Sequence, residues 1–138
     1  MPRRSAKPRL SPASPCPCGL TASYAACCGR LHQGQATAAT AEQLMRSRYS
    51  AFAARDEAYL LRSWHPDTRP SQLDFDPGLA WVRLEILAAT DGGPFHTEGT
   101  VTFRAHYADG GRAGAMEEQS RFVRHEGAWV YRDALTVS

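Results

Sequence analysis

The chain has 138 residues with a formal net charge of +2, and 43% of its residues are hydrophobic, enough for one modest domain and a small additional motif. No stretch approaches the roughly 18 consecutive apolar residues that a membrane span needs. Residues 1–15 contain no apolar run of the kind found in secretory signals. We therefore expect a cytoplasmic protein without a membrane anchor.

The first 15 residues form a basic segment that contains four prolines and no acidic residue. A segment of this composition cannot bury a core, so it predicts a disordered tail. Its positive charges, on Arg3, Arg4, Lys7 and Arg9, exceed the net charge of the whole chain. The remaining residues carry no basic excess of the kind that marks a nucleic-acid footprint, so binding to nucleic acid is not expected.

All four cysteines lie within 13 residues, at Cys16, Cys18, Cys27 and Cys28. Four thiolates on two short turns can surround one Zn²⁺ as a tetrahedron, with each sulfur about 2.3 Å from the metal. A shell of four sulfurs leaves no open position for water or substrate. The spacing therefore predicts a zinc knuckle over residues 16–32 that holds one structural Zn²⁺.

Three alternatives to a zinc ion with four cysteine ligands are considered in turn: disulfides, an iron–sulfur cluster and a histidine ligand. Disulfides require an oxidising compartment, and the adjacent Cys27 and Cys28 are too close to pair with each other, although either can pair with Cys16 or Cys18. Iron–sulfur proteins use other cysteine spacings. His32 can replace one sulfur, but a surface histidine after the knuckle is the simpler interpretation.

A small-residue linker over residues 33–40 precedes two predicted helices. Thr40 can cap the first helix, with Gln43 at the capping-box position, and apolar residues at steps of three and four extend it to about residue 55. Asp56 can cap a second helix. Because Pro66 disfavours helical geometry at the preceding residue, that helix ends at His65.

From Trp81 onward the apolar period changes to two, which predicts β-strands separated by Gly-containing turns. Two helices followed by an antiparallel meander indicate an α+β domain over residues 40–138, with the helices on one face of the sheet. The residues expected on the inner face, in chain order, are Val82, Leu84, Ile86, Phe95, Val101, Phe103, Tyr107, Met116, Phe122, Trp129, Tyr131, Leu135 and Val137.

Several of these strings resemble a known bacterial family. Residues 16–19 and 27–29, with Tyr24 between them, look like the SEC-C motif, a zinc motif that also ends the motor subunit of the preprotein translocase. The downstream strings look like the YchJ-like family, which joins a SEC-C knuckle to a domain similar to nuclear transport factor two. They are LMRSRY at 44–49, YL at 59–60, WHP at 64–66, SRF at 120–122 and WVYRD at 129–133.

The resemblance implies a cone-like fold, with helices against a curved sheet and a pocket between them, and a bound zinc, but it implies no reaction. SEC-C loops are rich in lysine around the tyrosine, whereas Tyr24 stands among alanines and Ser23. A protein partner for the knuckle is therefore possible, but docking through those lysines is doubtful. No cysteine follows Cys28, so we expect one metal at most.

Ionisable residues in phase with the apolar positions suggest a site inside the cone. On the strands, Asp133 is expected on the same face as Tyr131, and Glu118 on the same face as Met116. On the first helix, Arg48 lies four residues from both Leu44 and Phe52. Because a buried charge without a partner is unstable, we expect Arg48 to pair with Asp133 or Glu118.

Two interpretations of this constellation remain open. In one, Asp133 or Glu118 is the general base of a small-molecule enzyme (an isomerase, dehydratase or hydrolase), with His65 at the mouth or Tyr49 as the acid. In the other, an ion pair between Arg48 and Asp133 joins helix to sheet, with Trp64 and Tyr49 as core. We favour the second, that is a structural or ligand-binding role. A homodimer through the outer face of the sheet is a further possibility.

Overall fold

The computed structural model describes residues 10–138. Its helices and strands follow the predicted order and form an α+β domain behind an N-terminal cysteine-containing segment. The elements are a 3₁₀ turn (Tyr24–Ala26), α1 (Cys28–His32), α2 (Ala41–Ala54), α3 (Glu57–Arg62), β1 (Leu79–Asp91), β2 (Glu98–Asp109), β3 (Arg112–His125) and β4 (Ala128–Val137).

Both predicted helix caps form. The hydroxyl of Thr40 accepts a 3.1 Å hydrogen bond from the backbone N–H of Gln43, and the carboxylate of Asp56 accepts one of 3.1 Å from that of Tyr59. The α3 helix is shorter than predicted, because it ends at Arg62 rather than at His65.

The four strands pair in the order β1-β2-β3-β4, and every pair is antiparallel. One face of this sheet packs against α2, whose contribution to the core is Leu44, Met45 and Tyr49. The core residues from the sheet are Leu84, Val101, Phe103, Ala105, Phe122 and Trp129. The prediction of helices covering one face of an antiparallel sheet is confirmed.

β-Bulges in β1 and β4 change which side chains face the core. In β1, Trp81 pairs with Tyr107 and Arg83 pairs with His106, so Val82 has no partner and its side chain is 64% exposed. In β4, Arg132 is left without a partner in the same way. Because a bulge reverses the alternation of side chains, the inner face predicted for Val82 is wrong, and Asp133 is turned to the outer face until a second bulge at Leu135 restores the phase.

Two further expectations need correction. Phe95 lies in the hairpin loop before β2 and is 97% exposed, so it is not an inner-face residue of that strand. The end of the tail predicted to be disordered is ordered: the carbonyls of Pro12 and Ser14 accept hydrogen bonds from Ala25 and Tyr24. Residues 1–9 of that tail lie outside the described residues. No helix within residues 10–138 combines the length and apolar character that crossing a membrane requires.

Candidate functional site

The four cysteines converge on one point beside α2. Cys16 and Cys18 lie on a tight turn closed by a hydrogen bond from the N–H of Gly19 to the carbonyl of Cys16, whereas Cys27 and Cys28 lie at the start of α1. All four are buried and free, and their sulfur atoms lie within 4.8 Å of one another. A tetrahedron with metal–sulfur bonds of about 2.3 Å has sulfurs about 3.8 Å apart, and the Cys18–Cys27 distance is 3.6 Å. The four sulfurs therefore fit one tetrahedral metal ion.

The electrostatics of the cluster also favour a cation. A hydrogen bond to the sulfur of Cys16, together with burial, raises the pKa of the Cys18 thiol to about 12, and hydrogen bonds to Cys16 and Cys18, together with burial, raise the pKa of Cys28. Four sulfurs this close cannot all be thiolates unless a positive charge compensates them. A divalent metal supplies that charge, and thiolate is the form that binds it.

The glycine after the cysteine pair allows the chain to fold back on itself. A Cβ atom at Gly29 would lie 2.7 Å from the backbone carbonyl oxygen of Tyr24. Only a residue without a side chain fits at this approach, which explains in physical terms why glycine follows Cys28 in the motif.

The knuckle, residues 16–32, packs directly against α2. His32 is buried, and its Nε2 donates a 2.8 Å hydrogen bond to the carbonyl of Ser47. Since that carbonyl only accepts, Nδ1 of His32 accepts from the Tyr24 hydroxyl at 2.6 Å. Arg46 adds a 2.7 Å hydrogen bond to the carbonyl of Cys18. The surface position expected for His32 is therefore wrong, because the ring joins the knuckle to the helix.

A cavity of about 290 Å³ lies on the other side of α2, between that helix and the sheet. Most of its wall is apolar, formed by Met45, Phe52, Trp81, Phe103, Ala105 and Met116. Its polar or amphipathic residues are Arg48, Tyr49, Trp64, Glu118, Ser120 and Tyr131.

The guanidinium of Arg48 is the buried charge of this cavity. The residue is only 3% exposed, and burial lowers its pKa to about 10, so it stays protonated at neutral pH. Its Nη1 donates to the carbonyl of Leu60 at 2.9 Å and to the hydroxyl of Ser63 at 2.7 Å. Its Cζ lies 4.9 Å from the ring centroid of Trp64 and 4.7 Å from that of Tyr131, within cation–π range.

Glu118 supplies the carboxylate of the cavity. Its Oε2 accepts hydrogen bonds from the hydroxyl of Ser120 at 2.5 Å and from that of Tyr131 at 3.2 Å. Tyr131 thus contacts both charges, with its ring against Arg48 and its hydroxyl on Glu118. Arg48 nevertheless makes no ion pair with any acid among residues 10–138.

The predicted ion pair between Arg48 and Asp133 does not form. Because of the bulge at Arg132, Asp133 lies on the outer face of the sheet, where its carboxylate pairs with Arg121 at 2.8 Å and 3.1 Å. Asp133 is therefore remote from the cavity wall and unsuited to the role of its general base.

Four of the predicted site residues do line one cavity: Arg48, Tyr49, Trp64 and Glu118. Burial raises the pKa of Tyr49 to about 12, which keeps its hydroxyl protonated at neutral pH. His65 is not part of the wall; its backbone N–H bonds to the carbonyl of Tyr131, and its ring packs against that of His125. It does not meet the expectation of a residue at the mouth.

The sequence interpretation missed the partners that hold the two charges. Ser63 and Tyr131 position Arg48, and Tyr131 with Ser120 holds Glu118. The phase of Tyr131 among apolar residues signalled that it faces inward, but nothing in its spacing indicated contact with Arg48. Ser63 follows α3, where no periodic signal applies.

The fold and the site together define a class of protein. It is a small α+β domain whose sheet and covering helix enclose a cavity, preceded by a SEC-C-like knuckle of four cysteines suited to a metal ion. A model of the YchJ middle, NTF2-like domain matches residues 40–134. The chain therefore belongs to the YchJ-like family.

Relatives and solved structures agree with this assignment. A UPF0225 protein of Streptomyces avermitilis is 62% identical over 125 residues, covering 91% of this chain and 86% of the relative. A second, of Corynebacterium glutamicum, is 52% identical over 116 residues, covering 84% of this chain and 92% of the relative.

Two solved proteins described as containing a SEC-C motif share the fold. The solution structure from Rhodopseudomonas palustris has a TM-score of 0.76 at 31% identity, covering 90% of this chain and 99% of that one. The crystal structure from Psychrobacter arcticus has a TM-score of 0.73 at 27% identity, covering 92% and 84%. The predicted family and fold are thus confirmed.

Proposed function

We propose that this protein binds a small amphipathic molecule in the cavity between α2 and the sheet, while its knuckle holds one structural Zn²⁺. The observation that carries the proposal is the cavity itself, a space of about 290 Å³ with apolar walls and one buried guanidinium. Ligand sites in proteins have this composition, being mostly apolar with a few placed polar groups.

The size of the cavity supports a ligand rather than imperfect packing. Protein interiors are packed about as densely as organic crystals and contain few voids larger than a water molecule. An engineered cavity of about 150 Å³ is sufficient for benzene. The cavity between α2 and the sheet is about twice that size, which suits a two-ring or an aryl–alkyl compound.

The chemistry of the ligands supports zinc as the metal. Tetrahedral sites with four thiolates suit zinc or iron–sulfur centres, and the spacing of these cysteines differs from the familiar iron–sulfur patterns. A Zn²⁺ with four sulfurs has no open coordination position, so its role here is to stabilise residues 16–32 against α2.

A second candidate function is catalysis on the bound molecule. The observation that favours it is the Glu118 carboxylate, which lies in the wall of an apolar cavity with its Oε2 held by Ser120 and Tyr131. A carboxylate positioned in this way can act as a general base in an isomerase or dehydratase, with the Tyr49 hydroxyl as acid. In that case Glu118→Gln would retain binding and abolish turnover.

The binding proposal is tested with a neutral two-ring probe, 2-naphthylacetamide, by isothermal titration calorimetry on the zinc-loaded full chain. Ala105→Phe fills the cavity from the centre of β2, and Thr102→Phe on the outer face of the same strand is its matched control. We expect saturable binding to the wild type and the control, and at least tenfold weaker binding to Ala105→Phe. Equal binding by Ala105→Phe and the wild type would overturn the proposal, and so would failure of the wild type to bind both this probe and its carboxylate analogue, 2-naphthylacetate.

A further inference from the structure

Arg48 carries the one positive charge in the wall of the cavity, and no acid in the described part of the chain, residues 10–138, forms an ion pair with it. The guanidinium is buried, and no carboxylate among residues 10–138 forms an ion pair with it. Buried charges in proteins are normally paired or bound to a counter-ion. The positive charge of Arg48 is compensated indirectly, by the faces of two aromatic rings and by the electrostatic field of Glu118.

Several hydrogen-bond donors beside this charge have no acceptor within the described part of the chain. Of the three guanidinium nitrogens of Arg48, only Nη1 donates to protein groups, which leaves Nε and Nη2. The hydroxyl of Tyr49 bonds to no residue between 10 and 138, although the residue is buried against the cavity.

These groups are all suited to an acceptor with negative charge. A guanidinium presents its N–H groups as a planar fork that matches a carboxylate with two parallel hydrogen bonds. The Trp64 and Tyr131 rings that lie against the guanidinium limit its rotation. The guanidinium is therefore already oriented in the unliganded protein. Such preorganisation strengthens binding because less conformational freedom is lost.

Glu118 limits how much negative charge the site accepts. Its carboxylate lies in the same wall, held by the hydroxyl of Tyr131, the residue whose ring contacts Arg48. A second negative charge on the ligand would be repelled by this carboxylate in an environment of low polarity. The site therefore favours a monoanion over a phosphate monoester.

We propose that the ligand is an apolar carboxylic acid with an aromatic or similarly rigid body, whose carboxylate pairs with Arg48. The apolar part lies against the six apolar residues of the wall. This inference rests on the proposed function, because it specifies the chemical class of the molecule bound in that cavity. It adds a charge preference that an apolar cavity alone would not have.

The test compares three naphthyl compounds by calorimetry at neutral pH: 2-naphthylacetate, the neutral 2-naphthylacetamide and the dianionic 2-naphthyl phosphate. We expect the wild type to bind the carboxylate at least tenfold more tightly than either of the others. Arg48→Met removes the charge at similar length and should reduce carboxylate binding to the level of the amide. Arg121→Met, which removes an arginine from the outer face, is the matched control and should retain the preference.

Trp64→Phe gives a second measurement that does not alter charge. It replaces the ring that lies against the guanidinium by a smaller one, so the guanidinium is held less firmly, and it should weaken carboxylate binding severalfold while leaving amide binding nearly unchanged. Equal affinities of the wild type for carboxylate and amide, or an unchanged preference in Arg48→Met, would overturn this inference and leave the proposed function standing. Absence of binding by all three compounds would overturn both.

Discussion

The sulfur of Cys16 lies 3.6 Å from the hydroxyl of Ser50, so the cysteine cluster is in direct contact with α2. A hydroxyl at this distance can donate to a thiolate and orient it, as groups outside the ligand shell do at metal sites. The opposite side of the same helix carries Arg48 and Tyr49 into the cavity wall. The linker over residues 33–40 therefore separates knuckle and domain along the chain but not in space.

The first prediction concerns the metal. The purified protein should contain one equivalent of zinc by elemental analysis. Cys28→Ser should lower the stability of the whole chain by about 4 kcal/mol or more, the scale expected for loss of a structural metal. This replaces the sequence-based expectation that such a change loosens only residues 16–32, because the knuckle is buried against α2.

Thermal unfolding and hydrogen exchange on the same samples distinguish these outcomes. Chelation of the wild type followed by zinc addition serves as the control, since it changes the metal without changing the sequence. One result would contradict this prediction: Cys28→Ser lowers protection from hydrogen exchange in residues 16–32 alone and leaves the thermal midpoint of residues 40–138 unchanged. The knuckle would then be an independent module.

The second prediction concerns the histidine between knuckle and helix. Replacing His32 by alanine removes the acceptor for the Tyr24 hydroxyl and the donor to Ser47. We expect a loss of about 1–3 kcal/mol from the Tyr24 hydroxyl left without its acceptor, since the Ser47 carbonyl keeps its helical hydrogen bond within α2. Tyr24→Phe removes only the hydroxyl, and the double mutant closes a thermodynamic cycle measured by urea unfolding. Purely additive losses would show that the two side chains are not coupled.

The sequence was sufficient for those features that depend on local chemistry. The capping oxygens of Thr40 and Asp56 determine the structure of the few residues around them, and so do the clustered cysteines. Such short-range patterns can be recognised in the sequence. The change from a helical period to a period of two similarly located the sheet. Each of these features predicts the same local structure regardless of which elements pack against it.

Features that depend on pairing between strands could not be predicted. The bulge at Arg132 is defined by the register of β4 against β3, and one extra residue there moved Asp133 to the outer face. The buried position of His32 likewise depends on a carbonyl 15 residues away, on α2. Side-chain periodicity assumes an uninterrupted strand, so an unpaired residue inverts the assignments that follow it until a second bulge, such as that at Leu135, restores the phase.

The third prediction follows from the corrected position of Asp133. Its partner Arg121 is a surface residue, and exposed ion pairs contribute little because water screens them. We expect the thermal midpoint of Asp133→Ala to stay within a few degrees of the wild type. A large drop would mean that the carboxylate has a buried partner, as the sequence periodicity had suggested.

The fourth prediction concerns the backbone of the knuckle. Gly29→Ala would bring a Cβ atom to 2.7 Å from the Tyr24 carbonyl, a contact that the backbone must move to relieve. We expect weaker zinc retention against a competing chelator and a lower melting temperature. Gly78→Ala is the matched control, because a Cβ there meets only the side-chain oxygens of Asp76 and Asp109 at 3.4 and 3.7 Å. Equal zinc retention in the two variants would contradict the steric explanation.

The last prediction concerns the cost of keeping a charge in the cavity. The guanidinium of Arg48 is desolvated and makes no ion pair within residues 10–138, and a buried charge of this kind is unfavourable by several kcal/mol before its hydrogen bonds are counted. Arg48→Met removes that charge. The carbonyl of Leu60 does not become unsatisfied, because it also accepts a 3.2 Å hydrogen bond from the hydroxyl of Ser63.

We therefore expect the free energy of unfolding of Arg48→Met, measured by urea titration with zinc bound, to equal or exceed that of the wild type. Residues that serve binding often reduce stability in this way, whereas residues that serve only the fold do not. Arg48→Ala shares the loss of charge but leaves a larger void, so it should be less stable than the methionine variant. A loss of several kcal/mol in Arg48→Met itself would instead identify Arg48 as a structural anchor between α2 and Ser63.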